Sequence, residues 1–276
     1  AYFIGQNFAR QLKKRFKTCA IVVGYDGRLS SPTLEEYLIM GLYDSGAIIT
    51  RIGLCCSPML YYSCVKLKSD GGIMITGSHN PANYNGFKVL TKEGSYYGKK
   101  ITSLSHMRKF KKLNGKILDY DISSSYIKDI YNSSIKIKKK LKVVWDPGNG
   151  ATGEILVRLV KHLPGKHIII NSIIDGTFPS HHPDPTEEKN LKKLKDKLKK
   201  TKADIGIALD GDGDRIGAID SKGKIISGDK LLLLFALDIL KDNPGATIIG
   251  DVKVSELVFK EILNKGGKPI MWKTGH

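Results

Sequence analysis

Three aspartates, Asp210, Asp212 and Asp214, alternate with glycines in the segment DGDGDR, directly after the apolar run ADIGIAL. The alternation brings the carboxylates to one side while the glycines let the backbone curl, so that three oxygens can hold a hard divalent cation. Without a cation, carboxylates crowded in this way would repel one another and resist ionising together. The spacing therefore predicts a metal site, and the simpler alternative is an acidic turn.

An EF-hand calcium loop also begins with alternating aspartates, but this segment does not match one. Counted from Asp210, the sixth position is Arg215 where the motif needs glycine, and the twelfth is Ser221 where it needs glutamate. A cation with open coordination positions beside an arginine is typical of phosphate handling. Mg²⁺ suits such a site best, because it keeps few protein ligands and completes its shell with phosphate or water.

A second segment with chemical potential is ITGSHNPANYNGFK (75–88), a polar loop rich in turn-forming residues that follows the apolar GGIMI. Such a loop would hold the hydroxyl of Ser78 out at a strand end, with the basic groups of His79 and Lys88 nearby. A serine hydroxyl is a poor nucleophile unless a base takes its proton or its charge is stabilised. Beside a cation site, Ser78 is best interpreted as a phosphoryl carrier; the simpler alternative is an ordinary turn serine.

These two segments together closely resemble the motifs of the α-D-phosphohexomutases, and most closely those of the phosphomannomutase/phosphoglucomutase group. Phosphoglucosamine mutases, the nearest relatives, typically carry alanine before the serine and isoleucine before the lysine of the first motif. Gly77 and Phe87 stand at those places here and favour the hexose mutases. Further segments match the family along the chain: GYDGRLSSP (24–32), DPGNGATG (146–153), FPSHHPDP (178–185) and PIMWKTGH (269–276).

The resemblance implies an enzyme that interconverts hexose 6-phosphate and hexose 1-phosphate, of mannose or glucose. Ser78 would be the phosphorylated serine, donating its phosphoryl group to the hexose phosphate and recovering another from a bisphosphorylated intermediate. One Mg²⁺ per chain would be held by the Ser78 phosphate with Asp210, Asp212 and Asp214. Glucose 1,6-bisphosphate, or an equivalent, would act as activator.

The resemblance also assigns roles to basic residues. His79 and Lys88 lie where the family places acid/base groups near the phosphoserine, and Arg215 where it places a charge partner. A lysine base would need a lowered pKa, and nearby cations such as Arg215 and Mg²⁺ would act in that direction. The residues expected to contact substrate are Arg28, Lys253 and His276.

The chain also departs from the family pattern. The family usually has, before the position of Ala1, a segment with a short arginine motif that reaches the active site. Beyond His276 it has a sugar-reading loop and a fourth domain that binds the distal phosphate of the substrate. We therefore expect a chain truncated at both ends, which retains the catalytic centre, has lost most of the substrate-binding surface and has impaired activity.

Short apolar β-rich runs alternate with helical patterns and predict the elements that must position these residues, in parallel or mixed α/β sheets. The family resemblance implies, more specifically, an α/β fold of successive three-layer α/β/α domains with mixed sheets. The expected domains are 1–124 with the phosphoserine loop, 125–226 with the metal loop, and an incomplete third from 227 to 276. Predicted strands are 19–26, 47–53, 71–77, 166–174, 203–210 and 247–252. Predicted helices are 31–46, capped by Ser31, 125–134 and 191–200, and the third unit starts near GDKLLLLFALDIL (228–240).

The formal net charge of +18 invites a nucleic-acid interpretation. The lysines are instead spread over surface-like positions, as in LKKLKDKLKK (191–200), where Leu191, Leu194 and Leu198 keep helical spacing. No RNA-binding strand, helix-turn-helix or zinc-finger pattern accompanies them. We therefore expect affinity for anionic small molecules rather than nucleic acid.

The four cysteines, Cys19, Cys55, Cys56 and Cys64, have no metal-binding spacing and predict buried thiols in a reducing compartment. The longest apolar run, LLLLFAL (231–237), is too short to cross a membrane. We expect a cytoplasmic protein.

Two alternative functions remain open at this point. A phosphoglucosamine mutase would differ from a hexose mutase in its preferred sugar. A basic anion- or nucleic-acid-binding protein would bind in a salt-dependent manner, indifferent to substitution of Ser78 or the aspartates. The sequence leaves open the preferred hexose and the oligomeric state.

Overall fold

The computed structural model describes residues 1–107, 110–133 and 139–274, and three β-sheets organise them. The sheets have six, five and two strands, and the two larger ones contain both parallel and antiparallel pairs. The predicted α/β class with mixed sheets is confirmed. The sheets lie within the ranges 1–124, 125–226 and 227–276, which we keep as proposed domains.

The first sheet has the strand order β5-β4-β3-β1-β2-β6. The pairs among β1, β2, β3 and β6 are parallel, and β4 runs antiparallel to both of its neighbours, β3 and β5. Its strands are β1 (Ala20–Tyr25), β2 (Ile48–Leu54), β3 (Gly71–Ile75), β4 (Phe87–Thr91), β5 (Gly94–Tyr96) and β6 (Lys116–Asp119). Its helices are α1 (Tyr2–Arg15), α2 (Ser31–Tyr43), α3 (Ser57–Lys66) and α4 (Lys99–Thr102), and a 3₁₀ turn covers Ser103–Ser105.

The central strand β1 explains why this unit has three layers. Successive side chains of a strand point to opposite faces. Ile21 and Val23 pack with the helices α1 and α2 through residues such as Phe8 and Leu38, whereas Val22 packs on the other face with α3. A central strand covered on both faces reads as a continuous apolar run, which is the pattern that the sequence shows.

The start of helix α2 differs from the expectation. Ser31 is its first helical residue rather than its cap, and the preceding Ser30 makes no side-chain capping hydrogen bond. The hydroxyl of Ser31 instead donates to Asp26 Oδ1 at 2.8 Å. This serine therefore supports a loop beside the candidate site, as described below.

The second sheet has the order β11-β10-β9-β7-β8. Its strands are β7 (Leu141–Asp146), β8 (Gly165–Ile169), β9 (Ile205–Leu209), β10 (Ile216–Asp220) and β11 (Ile225–Ile226). The helices are α5 (Ser123–Ser133), α6 (Gly153–Leu159) and α7 (Lys192–Thr201), with 3₁₀ turns at Val160–His162 and Glu188–Leu191. Leu191, Leu194 and Leu198 are buried in the core of this unit, as their spacing predicts.

The third sheet is a parallel pair, β12 (Thr247–Asp251) and β13 (Lys268–Trp272), packed with α8 (Gly228–Asp242) and α9 (Glu256–Asn264). The run LLLLFAL lies inside α8. Within the described part of the chain, no helix combines the length and apolar character needed to cross a membrane.

Several predicted boundaries were too long, and some elements were missed. The strand predicted over 166–174 ends at Ile169, and Asn171 has a left-handed φ of 52°. Strand β6 was missed because all four of its residues are exposed and it carries no apolar run. Residue 134, the end of one predicted helix, lies outside the described residues.

Candidate active site

The loop DGDGDR forms the hairpin turn between the antiparallel strands β9 and β10. Its backbone closes on itself, since Gly213 N donates to Asp210 O at 3.0 Å and Arg215 N donates to Asp210 Oδ1 at 3.0 Å. Gly213 has φ of +75°, a conformation that suits glycine. One oxygen from each of Asp210, Asp212 and Asp214 lies within 4.8 Å of the others, so the predicted convergence of the three carboxylates is confirmed.

The pKa values of Asp210 and Asp212 are shifted in opposite directions. Burial, together with the charges of Asp212 and Asp214, raises the pKa of Asp210 to about 7. Burial also raises the pKa of Asp212, but the charge and hydrogen bond of Lys88 outweigh it, and the pKa of Asp212 is lowered overall. The charges of Asp212 and Asp214 thus oppose ionisation of the buried Asp210, and a cation would relieve that repulsion.

One atom of this cluster indicates a ligand directly. Asp212 Oδ1 is buried and has no hydrogen-bond partner among the described residues. A buried carboxylate oxygen without a partner is costly. An orphaned oxygen beside two further carboxylates is a donor set suited to a hard divalent cation such as Mg²⁺.

Ser78 lies in the loop after β3, facing this cluster. Its Oγ donates to Asp210 Oδ2 at 2.9 Å, although the two residues are 132 positions apart in the chain. Ser78 adopts a left-handed φ of 49°, and its N–H donates to Thr76 Oγ1 at 2.7 Å. The polar loop and the aspartate loop predicted from the sequence therefore meet at the serine hydroxyl.

Arg28 holds the loop that carries Ser78 in place, which contradicts its predicted role as a substrate contact. Its side chain is completely buried, with Nε donating to Asp26 Oδ2 at 3.1 Å. Nη1 and Nη2 donate to carbonyl oxygens of the loop: Pro81 at 2.5 Å, Tyr84 at 2.8 Å, Ser78 at 2.8 Å and Asn80 at 2.7 Å. All five N–H donors of a guanidinium are thereby used, so none is left for a substrate.

Asp26 is a site residue that the sequence reasoning missed. It is buried and accepts hydrogen bonds from Arg28, Ser31 and Thr76, and from the N–H of Gly77 at 3.3 Å. Its position in GYDGR, directly after β1, is the only signal that the sequence carried. Asp26 and Arg28 together fix the backbone that presents Ser78.

We expect Arg28→Met to lower the free energy of unfolding by about 3–5 kcal/mol, because it leaves the Asp26 carboxylate buried without its cation. Urea denaturation followed by circular dichroism measures the loss. Arg15→Met is the control, because Arg15 forms an exposed ion pair with Glu93 that should contribute less than about 1 kcal/mol. Equal stability of the Arg28 variant and the wild type would contradict the structural role.

Lys88 lies on β4 and bridges the carboxylates. Its Nζ donates to Asp212 Oδ2 and to Asp214 Oδ2, both at 2.5 Å. Burial lowers its pKa, but the charges and hydrogen bonds of the two aspartates outweigh burial, and the pKa of Lys88 is raised. The shift is opposite to the lowered pKa that a lysine base requires, because Lys88 faces the carboxylates directly.

His79 and Arg215 lie close enough to the loop FPSHHPDP, a part of the second unit, to interact electrostatically with its Asp184. Burial, followed by the charge of Arg215, lowers the pKa of His79 and favours the neutral imidazole. Its Nδ1 is buried and has no hydrogen-bond partner in the described structure. Burial raises the pKa of Asp184, but hydrogen bonds from Thr186 lower it overall, with a smaller contribution in the same direction from the charge of Arg215. These residues bring a neutral base and a cation to the edge of the serine loop.

A cavity of about 330 Å³ opens beside Lys88 and Arg215. Its wall includes four aromatic side chains from α3, β4 and β5 and the residue after β5: Tyr61, Phe87, Tyr96 and Tyr97. This space adjoins the charged site.

The loop FPSHHPDP is fastened to the DPGNG turn by His181 and Asp146. His181 Nε2 lies 3.0 Å from Asp146 Oδ2, and Asp146 is completely buried. Asp146 Oδ1 accepts hydrogen bonds from Asn171 and from Gly148 N. Sequence reasoning assigned no role to this pair.

The His181–Asp146 contact predicts a pH dependence of stability. Burial lowers the pKa of His181, and the charge of Lys193 acts weakly in the same direction. The hydrogen bond and charge of Asp146, together with a hydrogen bond to the His182 carbonyl oxygen, outweigh both effects and raise the pKa above 6.5. The contact therefore stabilises the fold fully below pH 6.5, and this contribution is lost as pH rises through the folded-state pKa. We therefore compare the free energy of unfolding of the wild type with that of His181→Gln. The wild type should be the more stable, and this difference should become smaller as the pH is raised from 5.5 to 8.5. A constant difference would contradict the prediction, and His162→Gln, at an exposed histidine, is the control.

Of the substrate contacts predicted in the third unit, Lys253 makes no described polar contact with this site. Lys253 is exposed, and its described polar contacts are both with Asp251, at 3.7 Å between Nζ and Oδ2 and through its backbone N–H. His276 lies outside the described residues. The structure thus joins Ser78, His79, Lys88, Arg215 and the three aspartates, and the described polar contacts of Lys253 lie elsewhere, with Asp251.

The chain belongs to the phosphoglucomutase/phosphomannomutase family. Its mixed-sheet units and the meeting of the serine and aspartate loops agree with this family, and so does comparison of the sequence with known protein families. The family models for alpha/beta/alpha domain I and domain II match residues 1–105 and 124–223.

Individual relatives match this chain along its whole length. The chain is 44% identical to a phosphomannomutase/phosphoglucomutase of Pseudomonas syringae pv. tomato and 41% identical to a phosphoglucomutase of Neisseria meningitidis serogroup B. These matches cover 100% of this chain and 60% and 61% of the relatives, so the chain spans about three fifths of their length. A crystal structure of a family protein from Burkholderia thailandensis superposes with a TM-score of 0.94 at 39% identity, covering all of this chain and 62% of that one.

Proposed function

We propose that the protein containing this chain is a phosphohexomutase that interconverts the 6-phosphate and 1-phosphate of mannose or glucose, with Ser78 as its phosphoryl carrier. The observation that carries this proposal is the hydrogen bond of Ser78 Oγ to Asp210, inside a cluster of three converging carboxylates. A hydroxyl held at a cation site is placed for phosphoryl transfer, in which positioning and charge stabilisation supply most of the catalysis. The family membership supports the same reaction class.

In the proposed cycle the phosphorylated Ser78 meets a sugar hydroxyl of the hexose monophosphate. The sugar oxygen forms the new bond to phosphorus as the bond from phosphorus to Ser78 Oγ breaks, and the hydroxyl proton leaves to a base. The bisphosphorylated sugar then reorients, and Ser78 Oγ takes the phosphoryl group from its other end. The net result moves phosphate between the two positions of the sugar and restores the phosphoserine.

The residues of this chain supply charge and proton transfer for these steps. His79, which is favoured as neutral, is suited to accept the hydroxyl proton. The Lys88 ammonium and the Arg215 guanidinium would stabilise negative charge on the transferring group. Mg²⁺, held by Asp210, Asp212 and Asp214 with the Ser78 phosphate, would supply further charge stabilisation when bound.

The shape around Gly77 supports a hexose mutase over a phosphoglucosamine mutase. A Cβ added to Gly77 would lie 2.5 Å from Arg28 Cζ and 2.7 Å from the Tyr84 carbonyl oxygen. Because Arg28 is buried and fully hydrogen-bonded, it cannot move without breaking its contacts with the loop. The local packing therefore requires glycine here, where the glucosamine enzymes typically have alanine.

A coupled assay tests the proposed function on the natural gene product that contains these residues. Glucose 1-phosphate, mannose 1-phosphate and glucosamine 1-phosphate are supplied in turn, with Mg²⁺ and glucose 1,6-bisphosphate. Turnover of glucose or mannose phosphate is expected. Turnover confined to the glucosamine phosphate would identify the alternative enzyme, and no turnover of any sugar would overturn the proposal.

The cellular setting and partners are also proposals. Four buried, unpaired cysteines fit a reducing cytoplasm, and burial raises the pKa of Cys19, Cys56 and Cys64 to about 11, which keeps these thiols unreactive. The partner we propose is the sugar phosphate, with no membrane or nucleic acid needed for the reaction.

A further inference from the structure

We propose that Ser57 is a positioning residue that orients Asp212 so that its Oδ1 atom faces the cation. This inference rests on the proposed function, because it assigns the cation site a support from another part of the chain. Ser57 was not among the residues singled out from the sequence. It is the first residue of α3, packed beneath the first sheet, whereas Asp212 belongs to the second.

Two hydrogen bonds from Ser57 hold Asp212 at both its side chain and its backbone. Ser57 Oγ donates to Asp212 Oδ2 at 2.5 Å, and Ser57 N donates to Asp212 O at 2.8 Å. Both residues are completely buried. A single residue, 155 positions away in sequence, thus fixes the peptide and the carboxylate of the central aspartate.

These contacts determine which carboxylate oxygen is left for a ligand. Oδ2 of Asp212 accepts hydrogen bonds from Ser57 and Lys88, whereas Oδ1 is buried without a partner in the described structure. A half turn of the carboxylate exchanges two equivalent oxygens and restores the hydrogen bond, whereas a smaller rotation out of this plane would weaken the hydrogen bond from Ser57. The serine hydroxyl therefore fixes the plane of the carboxylate and leaves one oxygen, Oδ1, without a protein donor.

Ser57 is better suited to this task than Lys88. Lys88 reaches Asp212 through a long flexible side chain that is 20% exposed and shared with Asp214. Ser57 has a short side chain at the first turn of a helix, and Pro58 beside it restricts the backbone. The loop that carries Asp212 has a glycine on either side, at positions 211 and 213, so its orientation needs support from outside.

The test compares Ser57→Ala with two matched variants of the natural gene product. Ser57→Thr keeps the hydroxyl. Ser63→Ala removes another completely buried serine hydroxyl from the same helix, one that donates to the Met59 carbonyl oxygen at 2.6 Å. Isothermal titration calorimetry with Mn²⁺, as a probe of the cation site, measures the metal affinity of each variant, and circular dichroism confirms folding.

Ser57→Ala is expected to weaken Mn²⁺ binding by about 10–100-fold, the usual cost of losing a group that orients a metal ligand. Ser57→Thr should retain most of the affinity, and Ser63→Ala should stay within about twofold of wild type. Wild-type affinity in Ser57→Ala would overturn the inference and leave the proposed function standing. An equal loss in Ser63→Ala would also overturn it, by showing a general effect of the helix. Absence of Mn²⁺ binding in the wild type would overturn the cation site and the inference together.

Discussion

Ser78→Ala should abolish phosphoryl transfer, with turnover lowered by on the order of 10⁴-fold or more, as expected when the atom that forms the covalent intermediate is removed. The fold should persist, because Ser78 is partly exposed and the change removes one side-chain hydrogen bond, worth about 1 kcal/mol. The measurement is a coupled mutase assay on the natural gene product, with thermal unfolding of each variant.

The control for this prediction is Ser105→Ala. Ser105 is exposed, and its hydroxyl donates to the Thr102 carbonyl oxygen, outside the site. This variant should turn over like wild type. Normal turnover in Ser78→Ala would remove Ser78 from the proposed cycle, whatever the behaviour of the aspartates.

Asp212→Asn should weaken Mg²⁺ binding and lower activity together, each by about 100-fold or more at limiting Mg²⁺. The change removes the charge from the central carboxylate of the cluster, and an amide oxygen is a weaker ligand for a hard cation. Activity should recover partly as Mg²⁺ is raised, because the remaining carboxylates still converge. Asp196→Asn, at an exposed position on α7, is the control and should behave as wild type. An unchanged Mg²⁺ dependence in Asp212→Asn would contradict the metal assignment.

The residues that converge at the site could be predicted from the sequence because their chemistry is local. Alternating aspartates after a strand and a serine in a turn-rich loop are contiguous patterns. The structure places Ser78 beside Asp210, and Lys88 beside Asp212, across long sequence separations. The α/β sheets could also be predicted, because a strand that is buried on both faces, such as β1, has a continuous apolar sequence.

The residues that hold the site in position could not be predicted from the sequence in the same way. Ser57 looks like any serine at the start of a helix, and its role exists only because α3 packs beside the hairpin that carries Asp212. The family resemblance placed Arg28 among the substrate contacts, but its buried guanidinium donates to Asp26 and to four carbonyl oxygens of the loop that carries Ser78. The raised pKa of Lys88 follows equally from distances that the sequence does not encode.

Mass-spectrometric mapping of phosphate tests the central claim most directly. The natural gene product containing this chain is incubated with Mg²⁺ and glucose 1,6-bisphosphate and then digested. Our account predicts phosphate on Ser78, lost in Ser78→Ala and discharged when glucose 1-phosphate is added. Interconversion of hexose phosphates with no phosphate on Ser78, or with the phosphate on another residue, would contradict it.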